Sequence, residues 1–254
     1  MKKYSLFLLT ALLALAGGQP GFAKKKKIPV LPEVKLKVEL DRKVLPAGKA
    51  ERAVLKISLD PEQVVREEAN RPPVNLAIVL DRSGSMGGEK IVQAKEAAIQ
   101  AIRRMGSKDR ISIVAYSSHA ETIASAQSAK NAEKLVDLVR QLKASGGTAL
   151  YAGVNQGAAE IRKNLDGEYF NRIILLSDGL ANQGPSTPAD LVRLGRALVK
   201  EDISVSTVGL GAGYNEDLMA GLAKEGQGNL YFAETSKELP GIFDAEIGDA
   251  LNVV

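Results

Sequence analysis

The chain has 254 residues, of which 45% are apolar and 25% charged, an ordinary globular composition that supports a sizeable core. It contains no cysteine, which excludes disulfides and a cysteine-linked lipid anchor. The formal net charge of +4 comes from the N-terminal region: setting aside Lys2 and Lys3 leaves 32 basic against 30 acidic residues, and setting aside Lys24 to Lys27 as well leaves 28 against 30. The folded part is therefore nearly neutral, and a nucleic-acid partner is not expected of it.

Residues 1–23 read as a signal peptide. Lys2 and Lys3 form a basic start, Leu6 to Ala16 is a short apolar stretch, and Gly21-Phe22-Ala23 puts small residues where a signal peptidase cuts. An uncleaved anchor would put Lys24 to Lys27 on the translocated side, against the positive-inside tendency. The expected location is outside the cytoplasm, periplasmic or extracellular. Residues 24–33 form a basic, flexible segment; membrane association is expected only through an uncleaved signal or the Lys24–Lys27 tail.

Residues 34–73 form a β-hairpin-like extension and linker. Val34, Leu36, Val38 and Leu40 alternate with charged residues, and Ala53 to Leu59 gives a second strand after a turn at Val44 to Lys49. Two strands alone are marginal, so they either pack on the following domain or leave an open edge for another chain. Val64 to Asn70 is polar and ends at Arg71-Pro72-Pro73, a stiff connector.

Residues 74–254 read as one domain in which strands and helices alternate. Val74 to Leu80 is a buried strand that runs into Asp81, Ser83 and Ser85. A helix is predicted over Glu89–Met105, a strand over Arg110–Tyr116 and, after a short turn, a third strand over Glu121–Ala126. So short a connection forces these two strands antiparallel. Helices follow at Lys130–Lys143 and Ala149–Leu165, the latter with alanine and glycine on its packing side. A strand at Asn171–Ser177 ends in Asp178-Gly179. Then come a helix at Pro188–Lys200, a strand at Ile203–Leu210, a helix at Asn215–Lys224, a strand at Asn229–Ala233 and a last helix at Ser236–Leu251 interrupted by Pro240-Gly241. The order implies an α/β fold: a doubly wound, mostly parallel six-stranded sheet with one antiparallel edge strand and helices on both faces.

Three loops carry chemistry: Asp81-Arg82-Ser83-Gly84-Ser85, Ser145-Gly146-Gly147-Thr148 and Ser177-Asp178-Gly179. In a doubly wound sheet, ligands sit beyond the carboxyl ends of the strands where the strand order reverses. If the strands of Asp81 and Asp178 flank that point, the three loops converge on one crevice. Asp81-x-Ser83-x-Ser85, then Gly147-Thr148, then Asp178-Gly179, in this order, resemble a von Willebrand factor type A (vWA) domain and its metal-ion-dependent adhesion site (MIDAS). With the preceding extension, the chain resembles exported bacterial members and the corresponding domain of inter-α-trypsin inhibitor heavy chains.

The resemblance implies roles. Asp81 approaches or contacts the metal, Ser83 and Ser85 coordinate through their hydroxyls, Thr148 coordinates directly or through water, and Asp178 acts through water. The expected ion is Mg²⁺ or Mn²⁺. Mg²⁺ takes near-octahedral oxygen and keeps some waters. Two carboxylates and neutral hydroxyls under-fill that shell, so a partner protein presenting Glu or Asp is expected to complete it. No catalytic residue is expected. The alternatives are a structural assembly subunit whose metal only stabilises the fold, and a Mg²⁺-dependent hydrolase, for which no general base stands out beyond the ligands.

Other features have plainer readings. His119 is the only histidine and sits in the Ser117-Ser118-His119 turn, expected to lie away from the crevice as a surface residue. Gly209-Leu210-Gly211-Ala212-Gly213 is one residue short of a dinucleotide fingerprint, and no phosphate-binding Gly-x-x-x-x-Gly-Lys run exists. Arg82 is expected to be an exposed loop side chain.

Overall fold

A computed structural model describes residues 34–40, 54–61, 72–165 and 169–251. The expected signal peptide, the basic segment 24–33, the turn at 44–49 and the connector 64–71 lie outside the described residues. Two compact units divide the chain, residues 1–65 and 66–254.

Among its described residues the first unit has an antiparallel strand pair, β1 (Val34–Leu40) and β2 (Leu55–Pro61), in which Val38 faces Ile57 and Leu40 faces Leu55. The second strand sits two residues later than its apolar alternation suggests. Leu36, Val38, Leu40, Leu55 and Ile57 share one face by period and register, and all are exposed. Lys35, Lys37, Glu39 and Lys56 take the other face, where Lys37 pairs with Glu39 at 2.9 Å.

The second unit is a six-stranded sheet. Its strands are β3 (Val74–Asp81), β4 (Arg110–Tyr116), β5 (Ala120–Ser128), β6 (Phe170–Ser177), β7 (Ile203–Leu210) and β8 (Gln227–Ala233), in the order β5-β4-β3-β6-β7-β8. All pairs are parallel except β4–β5, whose antiparallel pairing the short turn requires, and β5 stands at an edge of the sheet. The helices are α1 (Glu89–Arg104), α2 (Ala132–Arg140), α3 (Leu150–Ile161), α4 (Pro188–Val199), α5 (Glu216–Glu225) and α6 (Leu239–Leu251).

The near-continuous apolar strands follow from burial on both faces. In β3, Leu76, Ile78 and Leu80 pack into one core with residues of α1, α2 and α6, whereas Ala77 and Val79 pack into a second with α3, α4 and α5. Helix α3 comes unusually close to the sheet. A Cβ on Gly153 would lie 2.7 Å from the Tyr116 ring, and one on Gly157 would lie 2.7 Å from Val79. Glycine at these two positions therefore sets the helix-to-sheet distance, as the small residues on this face suggest.

Several boundaries depart from the sequence pattern. The helix expected over 130–143 is a 3₁₀ turn followed by α2, which ends at Arg140. There the amides of Gln141 and Leu142 bond back to Leu138 and Val139, and Lys95 Nζ takes the carbonyls of Arg140 and Leu142. Helix α3 likewise ends early in a 3₁₀ turn. Pro240-Gly241 does not interrupt the last helix but lies in the first turn of α6, where proline's missing N–H removes no helical bond. Among the described residues no helix is long and apolar enough to cross a membrane.

Candidate metal centre

The strand order reverses between β3 and β6. From β3 the chain passes to β4 on one side, and β6 then pairs on the other. Asp81 is the last residue of β3, and Asp178 immediately follows β6, with Leu80 opposite Leu176. Both carboxylates therefore stand at the carboxyl end of neighbouring central strands, at the switch point where doubly wound sheets bind ligands.

Backbone bonds stitch the three loops together. Gly84 N donates to Gly146 O (3.0 Å) and Ser145 N to Arg82 O (2.7 Å), which ties the first loop to the second. Thr148 N donates to Asn182 Oδ1 (2.9 Å) and Asn182 N to Thr148 O (3.1 Å), which ties the second to the loop after β6. Gly146 takes φ of +82°, and a Cβ there would also lie 2.9 Å from Ser118 Oγ. After Asp81, a 3₁₀ turn over Gly84–Met86 buries Met86 and leaves Ser85 exposed at the mouth.

The oxygens gather as follows. Ser83 N donates to Asp81 Oδ1 (2.8 Å), and Ser177 Oγ donates to Asp81 Oδ2 (2.8 Å). Ser83 Oγ and Ser85 Oγ are 3.0 Å apart, and Ser85 Oγ donates to Asp178 Oδ1 (2.7 Å). A Cβ on Gly179 would lie 3.5 Å from Ser85 Oγ and 3.8 Å from Thr148 Oγ1, so Gly179 stands beside both hydroxyls. The structure thus brings Asp81, Ser83, Ser85, Thr148 and Asp178 to one place.

Burial raises the Asp81 carboxyl above its ordinary value. The Ser83 hydroxyl and amide and the Ser177 hydroxyl pull it back, while the charge of Asp178 adds to the rise. The Tyr116 phenol is pushed well above its usual range, by burial first and by Asp81 second, so it stays a neutral donor. It donates to Asp81 Oδ2 (3.3 Å) and to Leu176 O (2.9 Å). Among the described residues no cation pairs with Asp81. The donor set fits a hard cation: two carboxylates and three hydroxyls, all oxygen, with no group of three or more His, Cys, Asp or Glu among the described residues. One cation already stands in part of this field. Lys90 Nζ is 2.6 Å from Asp178 Oδ2.

Sequence patterns assigned no role to Tyr116, Ser177 and Asn182, which hold Asp81 and Thr148, or to Lys90. Only Ser177 and Lys90 carry a local signal: one adjoins Asp178, and the other is a base in a helix's first turn, where acidic residues are favoured. Two expectations are corrected. The Ser117-Ser118-His119 turn is not away from the crevice, because β4 runs parallel to β3 and ends at the same edge of the sheet. Ser118 Oγ accepts from Gly147 N (2.9 Å) and Ser117 O from Ala149 N (2.6 Å), so the turn braces the second loop. His119 itself is exposed. Arg82 is not a free loop side chain: only 17% exposed, it pairs with Glu121 at 3.6 Å and reaches Ser145 Oγ at 3.4 Å.

The profile of the von Willebrand factor type A domain matches residues 75–245. Protein sll0103 of Synechocystis is 33% identical over 168 residues, 66% of this chain and 39% of that protein. Inter-alpha-trypsin inhibitor heavy chain H4 of Sus scrofa is 31% identical over 145 residues, 55% of this chain and 16% of that protein. The chain thus spans well under half the length of these relatives. Two solved structures share the fold. A von Willebrand factor type A protein from Catenulispora acidiphila superposes with a TM-score of 0.67 and 21% identity, covering 87% of this chain and 50% of that one. Proximal thread matrix protein 1 from the mussel byssus, solved with a zinc-occupied MIDAS motif, superposes with a TM-score of 0.61 and 17% identity, covering 71% of this chain and 46% of that one. With a family profile matched across the sheet and both carboxylate strands, this chain belongs to the von Willebrand factor type A domain family.

Proposed function

We propose that this protein is an exported, metal-dependent protein-binding module. Its MIDAS holds Mg²⁺ or Mn²⁺ with Asp81, Ser83, Ser85, Thr148 and Asp178, and recruits a Glu or Asp side chain of a partner protein. The observation that carries the reading is the chain of short contacts from Ser83 Oγ through Ser85 Oγ to Asp178, beside the buried Asp81, with which no cation among the described residues pairs. When bound, the ion would supply a Lewis-acidic position for an external carboxylate. The protein's own part is to hold the hydroxyls and to fix the Asp81 carboxyl at the sheet's edge with donors from Ser83 and Ser177.

The zinc-occupied MIDAS of the mussel protein supports a metal at this position of the fold, although its ion differs from the one proposed here. The side chains that reach the two carboxylates are Ser83, Ser85, Ser177, Tyr116 and Lys90, and each donates a hydrogen bond to them or to another of the set. That chemistry suits an adhesion site better than abstraction of a proton from water, so we read the module as a binder and not a hydrolase. The test is an affinity pull-down from an envelope fraction with the wild type and Asp81→Ala, each with Mg²⁺ and with EDTA. A partner captured only by the wild type with Mg²⁺ is expected. Capture that survives both EDTA and Asp81→Ala in a folded variant would sink the proposal.

A second reading draws on the hairpin, whose exposed apolar face favours a role as an assembly subunit with the metal only stabilising the fold. Under that reading, capture by the full chain is insensitive to EDTA and is lost on Val38→Lys.

A further inference from the structure

The strongest feature that the metal-site reading leaves unused is Lys90. It is the second residue of α1, directly after the metal loop. A base in the first turn of a helix opposes the helix dipole. Its placement is therefore sustained by something else. The Asp178 side chain is fully buried, and Lys90, itself 39% exposed, reaches in from solvent to place Nζ 2.6 Å from Oδ2. The other oxygen, Oδ1, accepts from Ser85 Oγ at 2.7 Å. The two oxygens of Asp178 are thus divided, one on a resident ammonium and one facing the hydroxyls.

We propose that Lys90 is a positioning residue that sets how strongly this site holds its divalent ion. The inference rests on the metal-site reading. By occupying Oδ2, the ammonium holds Asp178 through Oδ1 on Ser85 and keeps it from swinging both oxygens onto the ion. By its own charge, it also offsets part of the negative potential that Asp81 and Asp178 create. Both effects loosen the ion and leave more of its charge for an external carboxylate. Lys90 trades metal affinity for carboxylate recognition.

The experiment is calorimetric titration of Mn²⁺ alone into the full chain: wild type, Lys90→Met, Lys90→Arg and Asp81→Ala. The shape of Met keeps the aliphatic stem that covers Asp178, whereas Arg keeps the charge. Expected results are tighter Mn²⁺ binding by Lys90→Met, by roughly tenfold or more, near-wild-type binding by Lys90→Arg, and none by Asp81→Ala. A merely structural lysine would weaken binding when removed. Unchanged or weaker binding by a folded Lys90→Met, with Asp81→Ala still inactive, overturns this inference and leaves the metal site standing. If wild type and Asp81→Ala behave alike, the metal-site reading itself fails, and this one with it. Should Lys90→Met not fold, Lys90→Gln carries the same comparison.

Discussion

Of the five acidic side chains buried among the described residues of this domain (Asp81, Asp109, Glu160, Asp178 and Glu246), Glu246, Glu160 and Asp81 are treated differently. Glu246 of α6 meets Arg172 and Ser206 Oγ on one oxygen and Asn229 Nδ2 on the other. Glu160 of α3 meets Lys163, Thr122, Ser125 and the amide of Ala126. Each has its own cation within the fold. Asp81 has only neutral donors, Ser83, Ser177 and Tyr116, with a second carboxylate nearby. A buried charge normally carries a paired cation. The two glutamates are closed networks that fasten helices to strands. Asp81 is an open one, and under the proposed function the difference marks where an ion's positive charge would come from outside.

Breaking a closed network gives the largest expected effect. Glu246→Ala leaves Arg172 buried without its partner and should cost about 3–5 kcal/mol, the same in EDTA as in Mg²⁺, when followed by urea denaturation. An equal loss confined to Mg²⁺ would mean that α6 is coupled to the metal crevice. Opening the other comparison, wild type at an ion concentration of 100 times Kd should gain about 2.7 kcal/mol over EDTA. Asp81→Asn should gain nothing from metal, yet melt in EDTA at or above wild type, because the neutral amide removes a charge with no cation. If Asp81→Asn is instead strongly destabilised without metal, Asp81 belongs with the glutamates.

A smaller effect is expected at the seam between them. Gly153→Ala would put a Cβ 2.7 Å from the Tyr116 ring. Overpacking of about 1–3 kcal/mol should exceed the helix-propensity gain of alanine, and displacement of Tyr116 from Asp81 should weaken Mn²⁺ binding as well. Unchanged Mn²⁺ affinity would show that Tyr116 does not hold Asp81 in place.

The smallest concerns acid. Burial raises the Glu160 carboxyl, but Lys163, the Ala126 amide, Ser125 and Thr122 outweigh it and hold the group below its ordinary value of 4.5. The unfolded chain then binds this proton more readily than the folded one. The stabilisation is complete above about pH 4.5 and is lost as pH falls through the lowered folded value. Glu160→Gln should flatten the acid side of the stability profile and leave neutral-pH metal binding unchanged.

Local pattern was enough for the strands and most helices. The apolar runs at Val74–Leu80 and Ile173–Leu176, broken by Asp-containing loops, name two central strands without any knowledge of their partners. The antiparallel edge at β5 followed from the shortness of one turn. Helix ends were less legible, because the carbonyls that close α2 are taken by Lys95, on another helix. The role of the Ser117–His119 turn was misjudged for a similar reason. Its position depends on β4 lying parallel to β3, which no feature of the turn itself encodes.

By itself, the sequence determined the alternation of strands and helices and the family resemblance, and through that resemblance it named five candidate oxygen-bearing residues, because each element and each loop motif rests on near-neighbour spacing. Only the tertiary structure decided that Tyr116, Ser177 and Asn182 hold those residues, that Lys90 sits on Asp178, and that Asp81, unlike Glu160 and Glu246, has no cation among the described residues. The contacts of Tyr116, Ser177, Asn182 and Lys90 join residues from 34 to 96 positions apart. Charge balance in a buried site is a sum over such distant neighbours, and no stretch of the chain contains it.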